Sequence, residues 1–364
     1  MSPGTSPRRP RGPRRTWRRT SLLLVAGVAL LSACTQPLPQ NTLSPSGPVA
    51  EKQADLFFLV FWIAVGVFVV VEGLLLFAAI RFRQRRPEDS PVQVHGNTRL
   101  EVAWTIVPAL LLAGVAVPTI ATIFELARPP TEPAVTIDVT GHKWWWQVEY
   151  PEFGIVTANE IHIPVGQPVL LRLTSDELVD QAGLPVIHSL WVPRLAGKQD
   201  VVPGRVNDLW LQASAPGDYS GQCAEYCGLS HSRMRFLVVA HEEADFRAWL
   251  EDQQAPPGEP TEGDAAEGLE IFTNPLPQGA PPGSTAAACV ACHSTEPGVA
   301  DTLGPSLAHF GSRSLVAAFL PNTPENVARW LRDPPAVKPG SKMPDYDLTE
   351  SQIADLVAYL QSLK

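Results

Sequence analysis

The stretch GQCAEYCGLSHSRM, Gly221 to Met234, sets Cys223, Cys227, His231 and Met234 within twelve positions. The 364-residue chain has only five cysteines and three methionines, one of them the initiator. Four soft donors in one short loop point to metal chemistry. A closed Cys₂His₂ zinc site has no use for the methionine, and a cystine has no use for the histidine. A mononuclear blue-copper site takes one thiolate, two imidazoles and a weak axial thioether. Two thiolates can instead bridge two copper ions that share one delocalised electron, each copper then needing an imidazole. His188, in LPVIHSLWVP, fits the second imidazole, with His142, His162 and His241 as alternatives. Of these, His162 is expected to alternate on a strand face and His241 to follow the last strand.

Short β-type runs separated by turn residues surround this loop, from AVTIDVTGHKWWWQVEY to RMRFLVVAH. They predict an all-β sandwich or barrel over residues 129–250. AVTIDVTGHKWWWQVEY reads as one strand, with Trp144 and Trp146 on one face and Trp145 on the other. Residues 251–263 are rich in Pro, Gly and acid and read as a solvated linker.

Residues 264–364 read as helical. A short helix opens at Ala265–Phe272. A second is capped by Thr323 with Pro324 at its first position. A third carries a Thr349/Gln352 capping box and an apolar stripe of Ile353, Leu356, Val357 and Leu360. Within this part CVACH, Cys289 to His293, is a C-x-x-C-H sequence, the signature of a covalently attached c-type haem. Cys289 and Cys292 bond the vinyl groups and His293 is the first axial ligand. Met343, in SKMPDY, is expected as the second, which suits electron transfer. His309 is the competitor for that position. Otherwise it belongs at the surface or on the propionate side.

Two long apolar runs, about 56–80 and 102–124, precede the β region and are long enough to span a bilayer. Arg81, Arg83, Arg85, Arg86 and Arg99 lie between them, which predicts a cytoplasmic connection and exported domains. Residues 1–33 read as a signal peptide, with seven arginines before a ten-residue apolar run. LSAC resembles a lipobox, making Cys34 a lipidated first residue of a 34–128 membrane segment. Those arginines precede any acidic residue, and the net charge is still −9. Nucleic-acid binding is therefore excluded as a function.

Taken together these motifs resemble subunit II of the haem–copper cytochrome c oxidases, in the form with a fused C-terminal cytochrome c. The resemblance covers nearly the whole chain from Asp55. It implies a multidomain membrane protein: a two-helix transmembrane hairpin, an all-β cupredoxin domain and an all-α cytochrome c domain. By that resemblance His188, Cys223, Cys227, His231, Met234 and the backbone carbonyl of Glu225 hold the binuclear copper centre CuA. The Glu225 side chain would meet a magnesium ion at the border with subunit I. GHKWWWQVEYP matches the aromatic segment of the family, and Trp144 falls on the tryptophan through which electrons arrive. RLEVAWTIVPA matches the start of the second helix, where Glu101 falls on the glutamate at the mouth of a proton path. The implied partners are subunits I and III, with cytochrome c or a cytochrome bc complex as donor, in a bacterial plasma membrane. The implied activity is passage of electrons from haem c and CuA to a proton-pumping catalytic subunit that reduces O₂ to water.

Oxygen chemistry in such enzymes needs histidine-bound metal inside the membrane. Neither apolar run holds a histidine, so this chain relays electrons only. A nitric-oxide reductase subunit and a stand-alone tethered carrier are the rival readings. Glu72, deep in the first run, is expected to face a partner or make a structural hydrogen bond, because a carboxylate is costly in lipid.

Overall fold

A computed structural model describes residues 38–87, 96–129, 131–175, 186–258, 260, 262–274, 288–300 and 303–364. The signal segment 1–33, Cys34 and His95 lie outside these residues. The chain divides into two units, residues 1–39 and 40–364, and all that follows belongs to the second.

Two helices come first, α1 (Pro48–Arg81) and α2 (Thr98–Leu126). Their mean hydropathies, 2.7 and 2.2 over the most apolar stretches, suit a membrane, and their large side chains are exposed. Both helices outrun the spans expected from hydropathy. Asn97 caps α2 by accepting from the amides of Arg99 and Leu100, and Pro108 and Pro118 are accommodated inside it. Lys52 and Glu125 form an ion pair between the two helices. Ahead of α1, Ser46 is bonded to Arg194 and Ser214 of the β domain. At the end of α2, the Trp210 indole N–H donates to the Leu126 carbonyl at 2.9 Å. Both helices therefore leave the β domain from fixed points.

Among the described residues the β domain has ten strands: β1 (Val135–His142), β2 (Trp145–Tyr150), β3 (Ile155–Ala158), β4 (Glu160–Pro164), β5 (Val169–Ser175), β6 (His188–Trp191), β7 (Lys198–Val201), β8 (Asn207–Leu211), β9 (Gly217–Cys223) and β10 (Arg235–His241). They form two five-stranded sheets, ordered β3-β2-β1-β5-β8 and β4-β10-β9-β6-β7. Alternation explains the packing. Val135, Ile137 and Val139 of β1 point inward and are fully buried, as are Leu171 and Leu173 of β5. Each such side chain contributes about 1.5–3 kcal/mol by leaving water. The helix α3 (Glu243–Gln254) closes the domain and takes up the first residues expected to be linker.

One expectation fails here. AVTIDVTGHKWWWQVEY is not one strand: β1 and β2 form a tight antiparallel hairpin with His142 opposite Trp145. Trp144 lies in the turn, not on a strand face with Trp146. The residues that would have announced the turn, Gly, Pro or Asn, are missing from its centre.

The C-terminal domain contains α4 (Asp264–Thr273), a small ladder of β11 (Leu315–Val316) and β12 (Leu320–Pro321), α5 (Pro324–Arg332), α6 (Pro334–Val337) and α7 (Glu350–Ser362). The Thr349–Gln352 capping box is formed, and Thr323 accepts from the Asn326 amide. Phe272, Val327, Leu331, Ile353, Leu356 and Leu360 make a separate core.

Candidate metal and cofactor sites

The copper-type donors converge at one end of the second sheet. Cys223 ends β9 and His188 opens β6, and these strands pair with Leu190 opposite Cys223. Two backbone bonds hold the loop down: the Cys223 amide donates to Met234 O, and the Ala224 amide to Ser189 O. A single 3-10 turn, His231–Arg233, then returns the chain to β10. The two sulfurs are 3.8 Å apart and form no cystine. His188 Nδ1 lies 3.8 Å from Cys223 Sγ, and His231 Nδ1 lies 3.6 Å from Cys227 Sγ. Met234 Sδ is 3.8 Å from Cys227 Sγ, and the Glu225 carbonyl is 3.2 Å from Cys223 Sγ. His188, Cys223, Cys227 and Met234 are buried, and Glu225 is half-buried.

This donor set suits a soft, imidazole-tolerant metal such as copper. The two sulfurs are hydrogen-bonded to each other. This hydrogen bond holds the Cys223 thiol far below the usual range, against the opposing effect of burial. The same bond, with burial, pushes Cys227 up. Among the alternatives for the second imidazole, His142 stacks on Trp145 at 4.2 Å. His162 Nδ1 and His241 Nε2 lie 2.8 Å apart, on the paired strands β4 and β10. His241 is the last residue of β10 instead of following it.

The C-terminal domain holds a cavity of about 350 Å³. Cys289, Cys292, His293 and Met343 all line it, and Trp144 and Trp145 of the β domain close one side. His293 Nδ1 donates to the Pro305 carbonyl at 2.8 Å, which makes Nε2 the lone-pair nitrogen suited to iron. Burial pushes the Cys289 thiol up to about 11. Phe272, Leu331, Leu356 and Leu360 supply an apolar wall. The chemistry of this lining fits a haem held by two thioethers, an imidazole and a methionine.

His309 is neither at the surface nor in that cavity. It is 3% exposed, and its Nε2–H donates to the Ala255 carbonyl at 2.9 Å, pinning the chain just after α3. Trp144 connects the two sites. Its indole N–H donates to the Cys227 carbonyl at 2.9 Å, while its ring borders the cavity. Glu101 stands in the first turn of α2, exposed and about 38 Å of helix from Leu126. Glu72 is exposed on α1.

Two contacts between the domains escaped the sequence. The buried Glu160 carboxylate accepts from the Ser314 and Leu315 amides at 2.6 and 2.9 Å. Lys338 Nζ donates to Trp144 O. Both use single residues with no periodic pattern around them.

A membrane hairpin carrying a cupredoxin-like domain and a cytochrome c domain defines a membrane-bound oxidoreductase subunit. Residues 37–122 match the profile described as "Cytochrome C oxidase subunit II, transmembrane domain". Residues 135–241 match "Cytochrome C oxidase subunit II, periplasmic domain", and residues 265–364 match "Cytochrome c". Cytochrome c oxidase subunit 2 of Alkalihalophilus pseudofirmus is 37% identical over 92% of this chain and 94% of its own length. The Bacillus subtilis protein of that name is 34% identical over 95% of this chain and 98% of its own. Quinol oxidase subunit 2 of Bacillus spizizenii is 34% identical over 64% of this chain and 71% of its own. Among solved structures, the periplasmic domain of subunit II of cytochrome oxidase from Bradyrhizobium japonicum aligns with 94% of its length and 33% of this chain, at 28% identity and a TM-score of 0.30. The chain belongs to the cytochrome c oxidase subunit 2 family, with a cytochrome c domain fused at its C-terminus. It is thus a subunit of a haem–copper oxidase, which implies a partner such as subunit I, copper in the β domain and haem c in the C-terminal domain.

Proposed function

We propose that the chain is the electron-accepting arm of a proton-pumping cytochrome c oxidase. In this reading His188, Cys223, the Glu225 carbonyl, Cys227, His231 and Met234 hold a binuclear CuA centre. Cys289 and Cys292 would anchor one haem c, and His293 and Met343 would supply the ligands to its iron. Bound there, the copper pair and the haem supply one-electron redox chemistry at two stations. The chain's own residues hold these stations rigidly, keep water out and fix their separation. Trp144 is the link between them, because one ring borders the haem cavity and its N–H ends on a copper-ligand residue.

The single observation that carries this reading is the convergence of the two sulfurs with both imidazoles: each sulfur lies within 3.8 Å of the other and of one imidazole nitrogen. Donors are cytochrome c or a cytochrome bc complex, and the catalytic partner is subunit I with subunit III. Glu225 reaches a magnesium ion at the subunit I border, and Glu101 serves the mouth of its proton path. Both exported domains lie on the outer face of a bacterial plasma membrane, with Cys34 as a lipid anchor.

Metal analysis and spectroscopy of the full chain in detergent test this. Two coppers and one iron per chain are expected, with a mixed-valence two-copper EPR signal and a low-spin, methionine-ligated haem. Zinc, a single copper or a cystine at 223/227 overturns the proposal.

A further inference from the structure

The haem-cavity segment between α6 and Met343 does more than supply a ligand. Its first three residues, Lys338, Pro339 and Gly340, form a turn that sits on the copper domain. Lys338 is 5% exposed, and its Nζ donates to the Trp144 carbonyl at 2.6 Å and to the Ala317 carbonyl at 2.7 Å. One ammonium thus ties a carbonyl of each domain. The Ser230 hydroxyl, inside the copper loop between Cys227 and His231, donates to Pro339 O at 2.7 Å. Gly340 has φ +81, and a Cβ there would come within 2.5 Å of the Trp144 ring. Only glycine allows both the left-handed backbone and that approach. The turn therefore touches Trp144 on its backbone and on its ring, and touches the copper loop as well.

A buried lysine is expensive unless its donors are used. Burial pushes Lys338 down to about 7. Ammonium and amine both retain at least two N–H groups, so both carbonyls stay satisfied in either form. Trp144 is only 8% exposed beneath this turn, so an external protein donor meets the cytochrome c domain instead of the indole.

We propose that the Lys338–Gly340 turn is an internal docking clasp, and that Lys338 is the positioning residue fixing the cytochrome c domain against Trp144 and the copper loop. This rests on the electron route proposed above, but the clasp itself can be tested apart from it. The segment that supplies Met343 and the segment that grips Trp144 are five residues apart, so one short stretch sets both the cavity and its distance to the copper loop.

The test uses the full, metal-loaded chain with Lys338→Met and, independently, Gly340→Ala, and exposed Lys198→Met as the control. Amide exchange at 338–344 and 142–146 is expected to rise about tenfold or more in both variants, from the lost charge-assisted bonds or the displaced turn. The strands Val135–Val139 should be unaffected. Flash reduction of the haem should be followed by an internal phase to copper about tenfold slower or more than in the parent chain, because small misplacements are strongly felt. Haem and copper spectra should be retained. Parent-like exchange and a parent-like internal phase in both variants overturn the clasp. A parent chain lacking any internal phase refutes the electron route instead, and the exchange data then decide the clasp alone.

Discussion

Glu160 offers the sharpest energetic test of how the two exported domains are joined. It lies on β4, 2% exposed, and its carboxylate accepts two backbone N–H groups from the ladder region of the cytochrome c domain. Hydrogen bonds to a charged acceptor contribute about 1.5–3 kcal/mol each, so Glu160→Ala removes at most about 3–6 kcal/mol from the docked state. Glu160→Gln keeps an oxygen acceptor but loses the charge. Neutral bonds are roughly half as strong, which leaves a loss of about 2 kcal/mol. For a domain of this size each kcal/mol moves the midpoint by roughly 4–8 °C. Calorimetry of the full chain should therefore show the cytochrome c transition falling by roughly 10 °C in Glu160→Gln and further in Glu160→Ala. The copper-domain transition should hold. Midpoints within about 2 °C of the parent for both variants would falsify the idea that this carboxylate joins the domains.

Met234→Leu should alter the copper EPR signal and leave the haem spectrum intact, whereas Met343→Leu should do the reverse; equal loss of both signals in either variant counts against the ligand assignment. Gly221→Ala should destabilise the β domain by about 1–3 kcal/mol or more, seen in urea unfolding, because the added Cβ would sit 2.2 Å from the buried Phe236 ring. Burial holds the imidazole of His309 below its ordinary value. The unfolded chain then takes up the proton first, so stability is fully present above pH 6.5 and falls as pH drops from there toward the folded value. His309→Asn should flatten that slope in thermal unfolding between pH 7 and pH 5, and an unchanged slope would sink the assignment.

Local spacing was enough to pick out the candidate donors that are neighbours in sequence. Cys223, Cys227, His231 and Met234 share one loop, and Cys289, Cys292 and His293 share another, so their chemistry could be read residue by residue. His188 was harder, since three other histidines competed. Only the pairing of β6 with β9 brings its ring to Cys223. Trp144 was misassigned to a strand face because three consecutive indoles mimic a buried run, and the hairpin turns there without a breaker residue. His309, Glu160 and Lys338 share a different obstacle. Their partners are Ala255, Ser314 with Leu315, and Trp144, from 54 to 194 residues away. No periodicity encodes such bonds, and a lone buried Lys or Glu in a sequence resembles any solvated one.

The length of α1 has a mechanical outcome. Thirty-four residues make a rod of about 51 Å, well beyond a hydrocarbon slab of about 30 Å. Its first turns bury Val49, Ala50 and Ala54, and the turn-rich lead-in is stitched to Arg194 and Ser214. The rod thus acts as a stiff mast, setting the height and heading of the copper loop above the bilayer. Adding one residue to it would raise the loop by about 1.5 Å and swing it through roughly 100°, turning its face away from whatever it must dock against.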